Sequence, residues 1–264
     1  MEETAIDRAA VLLSCGRLTG TAIAPLPDDC RPPDEDAGYA VQARLNGLLR
    51  EAGLGDVAGF KIGCTTPVMQ AYVGIGQPCA GEVFETTVHT GVGRFAADAH
   101  RRLGVECELA VRLGAPLPAS AAPFDRDGVA AAVVAVMPSI EPVEDRYVDW
   151  RNLDAPTLIA DDFFNAGVVL GPEDEDWRNR DLVGMTGRMA INGDTVGEGR
   201  GGDIMGHPLD ALAWLANRWA SLGRDLPAGA FVSLGSLVET VWLNPGDRVE
   251  IALDGLGGAG LILE

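Results

Sequence analysis

From Val57 to the C-terminus the chain is written mostly as short strand-like runs punctuated by turn residues, and this pattern constrains its fold more than any other feature. A first strand starting at Val57 is followed by a short helix over residues 67–73 and a Gly/Pro-rich turn, Gly74-Ile75-Gly76-Gln77-Pro78. Strand-like runs then fall at 104–113, 133–143, 157–170, 188–198, 230–235, 239–243, 247–253 and 258–263. Asn192-Gly193 is a type I′ hairpin signal, and Asn244-Pro245-Gly246-Asp247 is a turn between two alternating strands. Helices interrupt at 125–133 and at 208–222, the latter with Leu209, Leu212, Leu215 and Trp219 on one stripe and Gly223 after its end. Residues 4–18 and 34–51 read as amphipathic helices, the second carrying Val41, Leu45, Leu48 and Leu49. No repeat, low-complexity tract or linker separates these parts. The expectation is one compact α+β unit, with a helical N-terminal portion over residues 1–56 and a strand-rich core over 57–264.

The 264 residues, 47% of them hydrophobic, suffice for a full core. A net charge of −19 removes the electrostatic footprint that nucleic acid requires and repels anionic membranes. There is neither a long apolar run nor a basic leader, since the chain begins Met1-Glu2-Glu3, so it reads as cytoplasmic. The five cysteines, Cys15, Cys30, Cys64, Cys79 and Cys107, are scattered without a C-x-x-C pair and are expected to be free thiols.

Among twenty basic residues Lys61 is the sole lysine. Arginine keeps its proton at any pH a protein survives, whereas the lysine ammonium shifts with burial and neighbouring charge. A site where lysine alone was kept is therefore a candidate for proton transfer. In Gly59-Phe60-Lys61-Ile62-Gly63-Cys64-Thr65, strand alternation points Phe60 and Ile62 one way and Lys61 the other.

The strongest chemical signal is Gly104-Val105-Glu106-Cys107-Glu108-Leu109-Ala110-Val111. On a strand, Val105, Cys107, Leu109 and Val111 share one face while Glu106 and Glu108 project together from the other. By itself such a pair is most often a solvated face. A third carboxylate, Glu141, lies in a second apolar run, Met137-Pro138-Ser139-Ile140-Glu141-Pro142-Val143-Glu144. Three carboxylates from two strands make an oxygen-only site suited to Mg²⁺ or Mn²⁺ rather than to zinc.

These motifs occur in order with Glu141 followed by Arg146 and Trp150, Ile159-Ala160-Asp161-Asp162, Gly206-His207-Pro208-Leu209 leading into Ala213-Trp214-Leu215-Ala216, and Gly235-Ser236 before Pro245-Gly246-Asp247. Together they resemble the 2-keto-4-pentenoate hydratase/4-oxalocrotonate decarboxylase branch of the fumarylacetoacetate hydrolase superfamily over essentially the whole chain. Glu141, where many hydrolase members carry Asp, points to that branch. The resemblance implies a fumarylacetoacetate hydrolase-like mixed β-roll, a homo-oligomer, and one divalent ion, Mg²⁺ or Mn²⁺, held by Glu106, Glu108 and Glu141. It implies a 2-oxo or 2-hydroxy-dienoic acid substrate, with Lys61 assisting proton transfer and Cys79, Asp161, Phe164, Leu234, Gly235 and Ser236 at the substrate.

The chain departs from the branch where relatives carry polar groups: Cys79 stands for Asp in Pro78-Cys79-Ala80-Gly81, Phe164 stands in the Ala-Asp-Asn-x-Ser stretch, and Leu234 replaces the Thr before Gly235. The expectation is a more apolar substrate wall, with Glu82 and Glu144 as conceivable substitutes for the missing acid and His207 as a structural residue at a helix start. Hydration is the expected reaction. Decarboxylation of a dicarboxylic relative, hydrolysis of an acylpyruvate, and a non-catalytic partner for a decarboxylase or hydratase homologue are the alternatives.

Overall fold

In the computed structural model, which describes residues 1–264, the chain opens with α1 (Glu3–Thr19) and α2 (Glu35–Leu49). Asp34 caps α2, its carboxylate accepting from the Ala37 N–H, and the helix buries Val41, Leu45 and Leu49 along the stripe the sequence spacing marks. There follow β1 (Val57–Gly63), α3 (Pro67–Val73), β2 (Cys79–Phe84), β3 (Val88–Thr90), β4 (Val92–Phe95), β5 (Leu103–Leu113), α4 (Arg126–Ala132) and β6 (Val133–Glu144). The remainder is α5 (Ala155–Ala160), β7 (Val168–Leu170), β8 (Thr186–Ile191), β9 (Asp194–Arg200), α6 (Pro208–Ser221), β10 (Phe231–Trp242), β11 (Arg248–Leu253) and β12 (Gly257–Leu263).

The strands form a seven-stranded sheet in the order β2-β1-β10-β5-β6-β7-β3 and a five-stranded sheet in the order β4-β12-β11-β8-β9. Both mix parallel with antiparallel pairs. One face of the larger sheet, with Phe60, Ile62, Leu109, Ile140 and Val232, enters the main hydrophobic cluster. That cluster also takes in Ala9, Leu13, Leu45 and Leu49 from the N-terminal helices and Val249 and Ile251 from the smaller sheet. Helices and strands thus share one core. The opposite face holds a smaller cluster of Ala110, Met137 and Phe231 and, beyond it, the polar residues of the candidate site. No helix is long and apolar enough to cross a membrane.

Most elements lie where periodicity places them, but β2, β3 and β4 fall where no strand-like run was read, and the runs themselves show three differences. The run at 188–198 is a hairpin, β8 and β9, because Asn192 (φ 54°) and Gly193 (φ 91°) make the turn that their dipeptide signals. The runs at 230–235 and 239–243 are one strand, β10, whose pairing with β5 shifts register between Ser233 and Ser236, between Ser236 and Val238, and between Val238 and Val241. The run at 157–170 is a strand only at its end, β7, and its first part is helical. Asp154 caps α5 by accepting from the Thr157 N–H, Pro156 fixes the first turn, and the apolar residues 158–160 are buried in a helix. Short apolar runs do not distinguish helix from strand, and here the cap decides.

Gly235 sits in the first irregularity of β10 at φ 119°, and a Cβ on it would lie 2.5 Å from Thr65 Oγ1. Both facts require glycine. Gly235→Ala is expected to cost at least roughly 1–3 kcal/mol from backbone strain alone, read as a lower midpoint in chemical denaturation. An unchanged midpoint would mean that β10 relaxes there without penalty.

Candidate functional site

The order β1-β10-β5-β6 and its register assemble the site. Lys61 is opposite Ser233, Glu106 is opposite Glu141, and Glu108 is opposite Ser139. These residues share one face of the sheet, and carboxylate oxygens of Glu106, Glu108 and Glu141 all lie within 4.8 Å of one another. Glu108 is 0%, Glu141 1% and Lys61 2% exposed, while Glu106 is half-buried. The structure therefore brings together the four residues that the sequence reading singled out for the metal and the proton.

Burial raises the Glu108 carboxyl far above its ordinary value, and Glu141 and Glu106 add to the rise, against partial relief from Ser233 and Lys61. Burial likewise pushes Glu141 up to about 7 although Lys61 opposes it. For Lys61 burial favours loss of the proton, but Glu141, Cys79, Glu106 and Glu108 outweigh it and hold the ammonium above its ordinary value. Its Nζ lies 3.2 Å from Glu141 Oε1, donates to the Phe163 carbonyl at 3.1 Å, and stands 5.4 Å from the Phe163 ring centroid.

The Phe163 carbonyl is aimed by an unusual backbone. Asp162 (φ 52°), Phe163 (φ 49°) and Phe164 (φ 69°) are three consecutive non-glycine residues in left-handed conformations, which costs on the order of 1–2 kcal/mol each. Buried ion pairs hold the turn. Asp161 accepts from Tyr147 Oη (2.8 Å), Arg146 (3.2 Å) and Arg17 (3.4 Å), and Asp162 accepts from Arg17 (3.0 Å), Asn46 (3.1 Å) and the Glu82 N–H (3.0 Å). The Asn165 carbonyl also accepts from Arg146 and Arg17.

The residues that the resemblance assigned to the substrate divide into two groups. Cys79, fully buried, faces the site across from Gly63, where a Cβ would lie 3.2 Å from Cys79 Sγ and 3.3 Å from Lys61 Nζ. Burial raises its thiol far above the ordinary value. Phe164 makes edge contacts with Phe163 and Trp150 at 5.5 Å. Leu234, by contrast, is buried in the main core beside Ile62 on the face turned away from the carboxylates, because it directly follows Ser233 on its strand. Asp161 is consumed by its arginine and tyrosine partners, so it anchors the turn instead of facing a substrate. Gly235 permits the irregularity in β10, and the Ser236 hydroxyl is spent on the Val238 carbonyl (2.6 Å) and the Cys107 carbonyl (3.3 Å). Neither candidate replacement acid faces the site: Glu82 pairs with Arg224 and Asn46, and Glu144 with His100 and Arg146. His207 caps α6 by accepting from the Leu209 N–H.

Sequence reading missed Asn165, Ser139, Ser233, Thr240 and Phe163. Ser139, two positions before Glu141, and Ser233, two before Gly235, carried a readable signal through strand alternation. The others depend on strand register and on the left-handed turn.

The chemistry of the donor set fits a hard divalent cation. Glu108 Oε1 and Glu141 Oε2 are buried without any hydrogen-bond partner, beside a third carboxylate. Anionic oxygens in that state are costly, and a cation among them removes the cost.

A mixed sheet that presents three carboxylates and a buried lysine on one face defines a class of carboxylate-cluster enzymes built on a β-roll. The family model described as the fumarylacetoacetate (FAA) hydrolase C-terminal matches residues 71–260, and the chain belongs to this family. It is 35% identical to a 2-keto-4-pentenoate hydratase of Dechloromonas aromatica over 95% of this chain and 94% of that protein. It is 31% identical to a 4-oxalocrotonate decarboxylase of Pseudomonas putida over 83% of this chain and 81% of that one. The fold matches the structure of 4-oxalocrotonate decarboxylase from Pseudomonas putida G7 complexed with magnesium and adipate, with a TM-score of 0.93, 24% identity, and coverage of 100% of this chain and 99% of the other.

Groups whose folded-state pKa is raised stabilise the protein at pH below their unfolded value and lose that contribution as pH rises through the folded value. For Glu141 the window runs from 4.5 to about 7, and Glu108 extends it upward. The melting temperature of metal-free protein is therefore expected to fall as pH rises across this range, and Glu108→Gln should flatten the fall. A variant with the same slope as wild type would show that Glu108 ionises at its ordinary pH.

Proposed function

We propose that the protein is a divalent-metal-dependent hydratase that adds water to a 2-hydroxy-dienoic acid of the 2-hydroxypenta-2,4-dienoate type. The observation that carries this reading is the cluster of Glu106, Glu108 and Glu141 with Lys61 Nζ 3.2 Å from Glu141, in a chain with near-full-length similarity to hydratases. A cation, Mg²⁺ or Mn²⁺, held by Glu106, Glu108 and Glu141 would supply Lewis acidity toward an oxygen-rich substrate and offset the negative charge of the three carboxylates. Lys61 Nζ delivers its ammonium proton to C5 and takes up the O–H proton of the dienol, which becomes the 2-oxo-3-enoate as Lys61 returns to its starting state. Water then adds its oxygen at C4 and a proton at C3. The Phe163 carbonyl fixes Nζ for this transfer.

Hydration is favoured over decarboxylation by the state of the cations around the turn. Arg17 and Arg146 are paired with Asp161, Asp162 and Glu144, so neither is free to hold a second substrate carboxylate. The wall beyond Lys61 is aromatic, running from Phe163 through Phe164 to Trp150 and the exposed Tyr72. Within the same proposal the enzyme is a cytoplasmic homo-oligomer. Exposed Val11, Leu12 and Leu18 on α1 offer an apolar strip that association would cover.

The experiment is a comparison of kcat/KM for 2-hydroxy-2,4-dienoates of increasing alkyl length beside 2-hydroxymuconate, with Mg²⁺ or Mn²⁺ present and CO₂ monitored. An apolar wall rewards each buried methylene by about 0.8 kcal/mol, so activity is expected to rise with alkyl length and to be poor for the dicarboxylate. Preference for the dicarboxylate with CO₂ release would make the protein a decarboxylase. Activity on none of them would move the reading to acylpyruvate hydrolysis or a partner subunit.

Lys61→Arg keeps the cation but cannot release its proton. Turnover is expected to drop by about 10²-fold or more, in the range that general acid–base groups contribute. Turnover near wild type in this variant would reduce Lys61 to a fixed charge.

A further inference from the structure

Each of the three carboxylates is held by its own donor, and each donor comes from outside the strand that carries the carboxylate. Asn165 Nδ2 donates to Glu141 Oε1 at 2.8 Å, Ser233 Oγ donates to Glu108 Oε2, and Thr240 Oγ1 donates to Glu106 Oε1. On each carboxylate the donors meet a single oxygen, with Lys61 Nζ joining Asn165 on Glu141 Oε1. On the two fully buried acids this leaves Glu108 Oε1 and Glu141 Oε2 with no partner at all. A network that served folding alone would cover those orphans, since each buried unsatisfied oxygen costs about 1–3 kcal/mol.

The backbone is irregular in the places that create this pattern. Ser233 and Thr240 are an odd number of positions apart on β10, so in a regular strand their hydroxyls would point to opposite faces. The register shifts that begin at Gly235 bring both to the carboxylate face. Ser233 is oriented in turn by Ser139, whose hydroxyl lies 2.8 Å away in the same buried row, so that Ser139 can donate to Ser233 while Ser233 donates to Glu108. Asn165 is positioned by the left-handed turn, with its carbonyl bound by Arg146 and its Nδ2 shared between Glu141 and the Gly167 carbonyl at 3.1 Å.

We infer that Asn165, Ser233 and Thr240 are positioning residues that clamp one oxygen of each carboxylate and so fix the remaining oxygens as a preformed divalent-cation site. This inference rests on the cation reading given above. The clamp sets affinity by removing rotamer freedom that binding would otherwise have to freeze out, and outer donors of this kind typically govern about 10- to 100-fold in metal affinity.

The test is calorimetric titration of the metal-free protein with Mn²⁺, alongside its melting temperature before metal is added. Thr240→Val keeps the shape of the side chain and removes the donor, whereas Thr240→Ser keeps the donor and removes the methyl group. Thr240→Val is expected to bind Mn²⁺ about 10- to 100-fold more weakly while still melting in a single metal-free transition, and Thr240→Ser to stay close to wild type. Asn165→Ala and Ser233→Ala should show the same loss, and they decide the matter if Thr240→Val does not fold. Wild-type affinity in the donor-less variants would overturn the inference, as would equal weakening in Thr240→Val and Thr240→Ser, which would assign the effect to packing. No Mn²⁺ binding by the wild type would overturn the cation reading and this inference together.

Discussion

Three carboxylates side by side in a protein interior repel one another and lose their hydration, so they can persist there only beside compensating positive charge or directed hydrogen-bond donors. Much of the local structure answers that constraint. β5 and β6 pair so that Glu106 meets Glu141, and from β1, with β10 and β5 between, Lys61 reaches Glu141 at 3.2 Å. The lysine pair and the three side-chain donors offset part of the cost, yet burial still pushes Glu141 up to about 7. The fold has been arranged around charges that it does not fully satisfy, which is the mark of a site that gains its balance from a ligand.

The two departures from regular backbone serve the same end. In β10 the register shifts alter which side chains face inward without changing the order of strands, so one strand supplies hydroxyls to two carboxylates that belong to another. In the 162–164 turn, strain of a few kcal/mol is held in place by Arg17, Arg146 and Tyr147. What the strain yields is local: the Phe163 carbonyl meets Lys61, and Asn165 meets Glu141. Both irregularities lie against the carboxylate cluster.

The parts of the molecule that follow from local rules were legible in the sequence. Glu106 and Glu108 share a face because strand alternation says so, and Asn192-Gly193 turns the chain because both residues accept positive φ. Lys61 stood out through composition alone, and Glu141 through its place in a second buried-looking run. The parts that depend on register were not legible. Leu234 was assigned to the pocket through the resemblance, as the replacement of the Thr before Gly235, but alternation from Ser233 turns it into the core. Thr240 lies beyond the register shifts, so no counting from Ser233 predicts its face. Residues 157–160 form a helix because Asp154 caps them, a signal outweighed in the sequence by the apolar run that follows. Asn165 and Phe163 follow a left-handed turn whose stability comes from arginines distant in the chain, and no local pattern announces it.

The N-terminal helices contribute no residue to the carboxylate cluster, yet they bear on its geometry through fixed contacts. Arg17 on α1 reaches Asp161 and Asp162, and from α2 Asn46 donates to Glu82 and Asp162 while Gln42 donates to the carbonyls of Ala80 and Ile159. These contacts bind β2 and the turn on either side of Lys61. The cations that hold this frame are arginines, whose charge persists at every working pH and whose forked geometry engages two acceptors at once. At the one buried position where a cation meets the carboxylates themselves the chain uses lysine. A permanent charge suits the frame, since a turn under strain must not loosen as pH changes. A chemical step that relocates a proton needs the opposite property, and in this chain Lys61 is the only basic residue with an aliphatic amine to provide it.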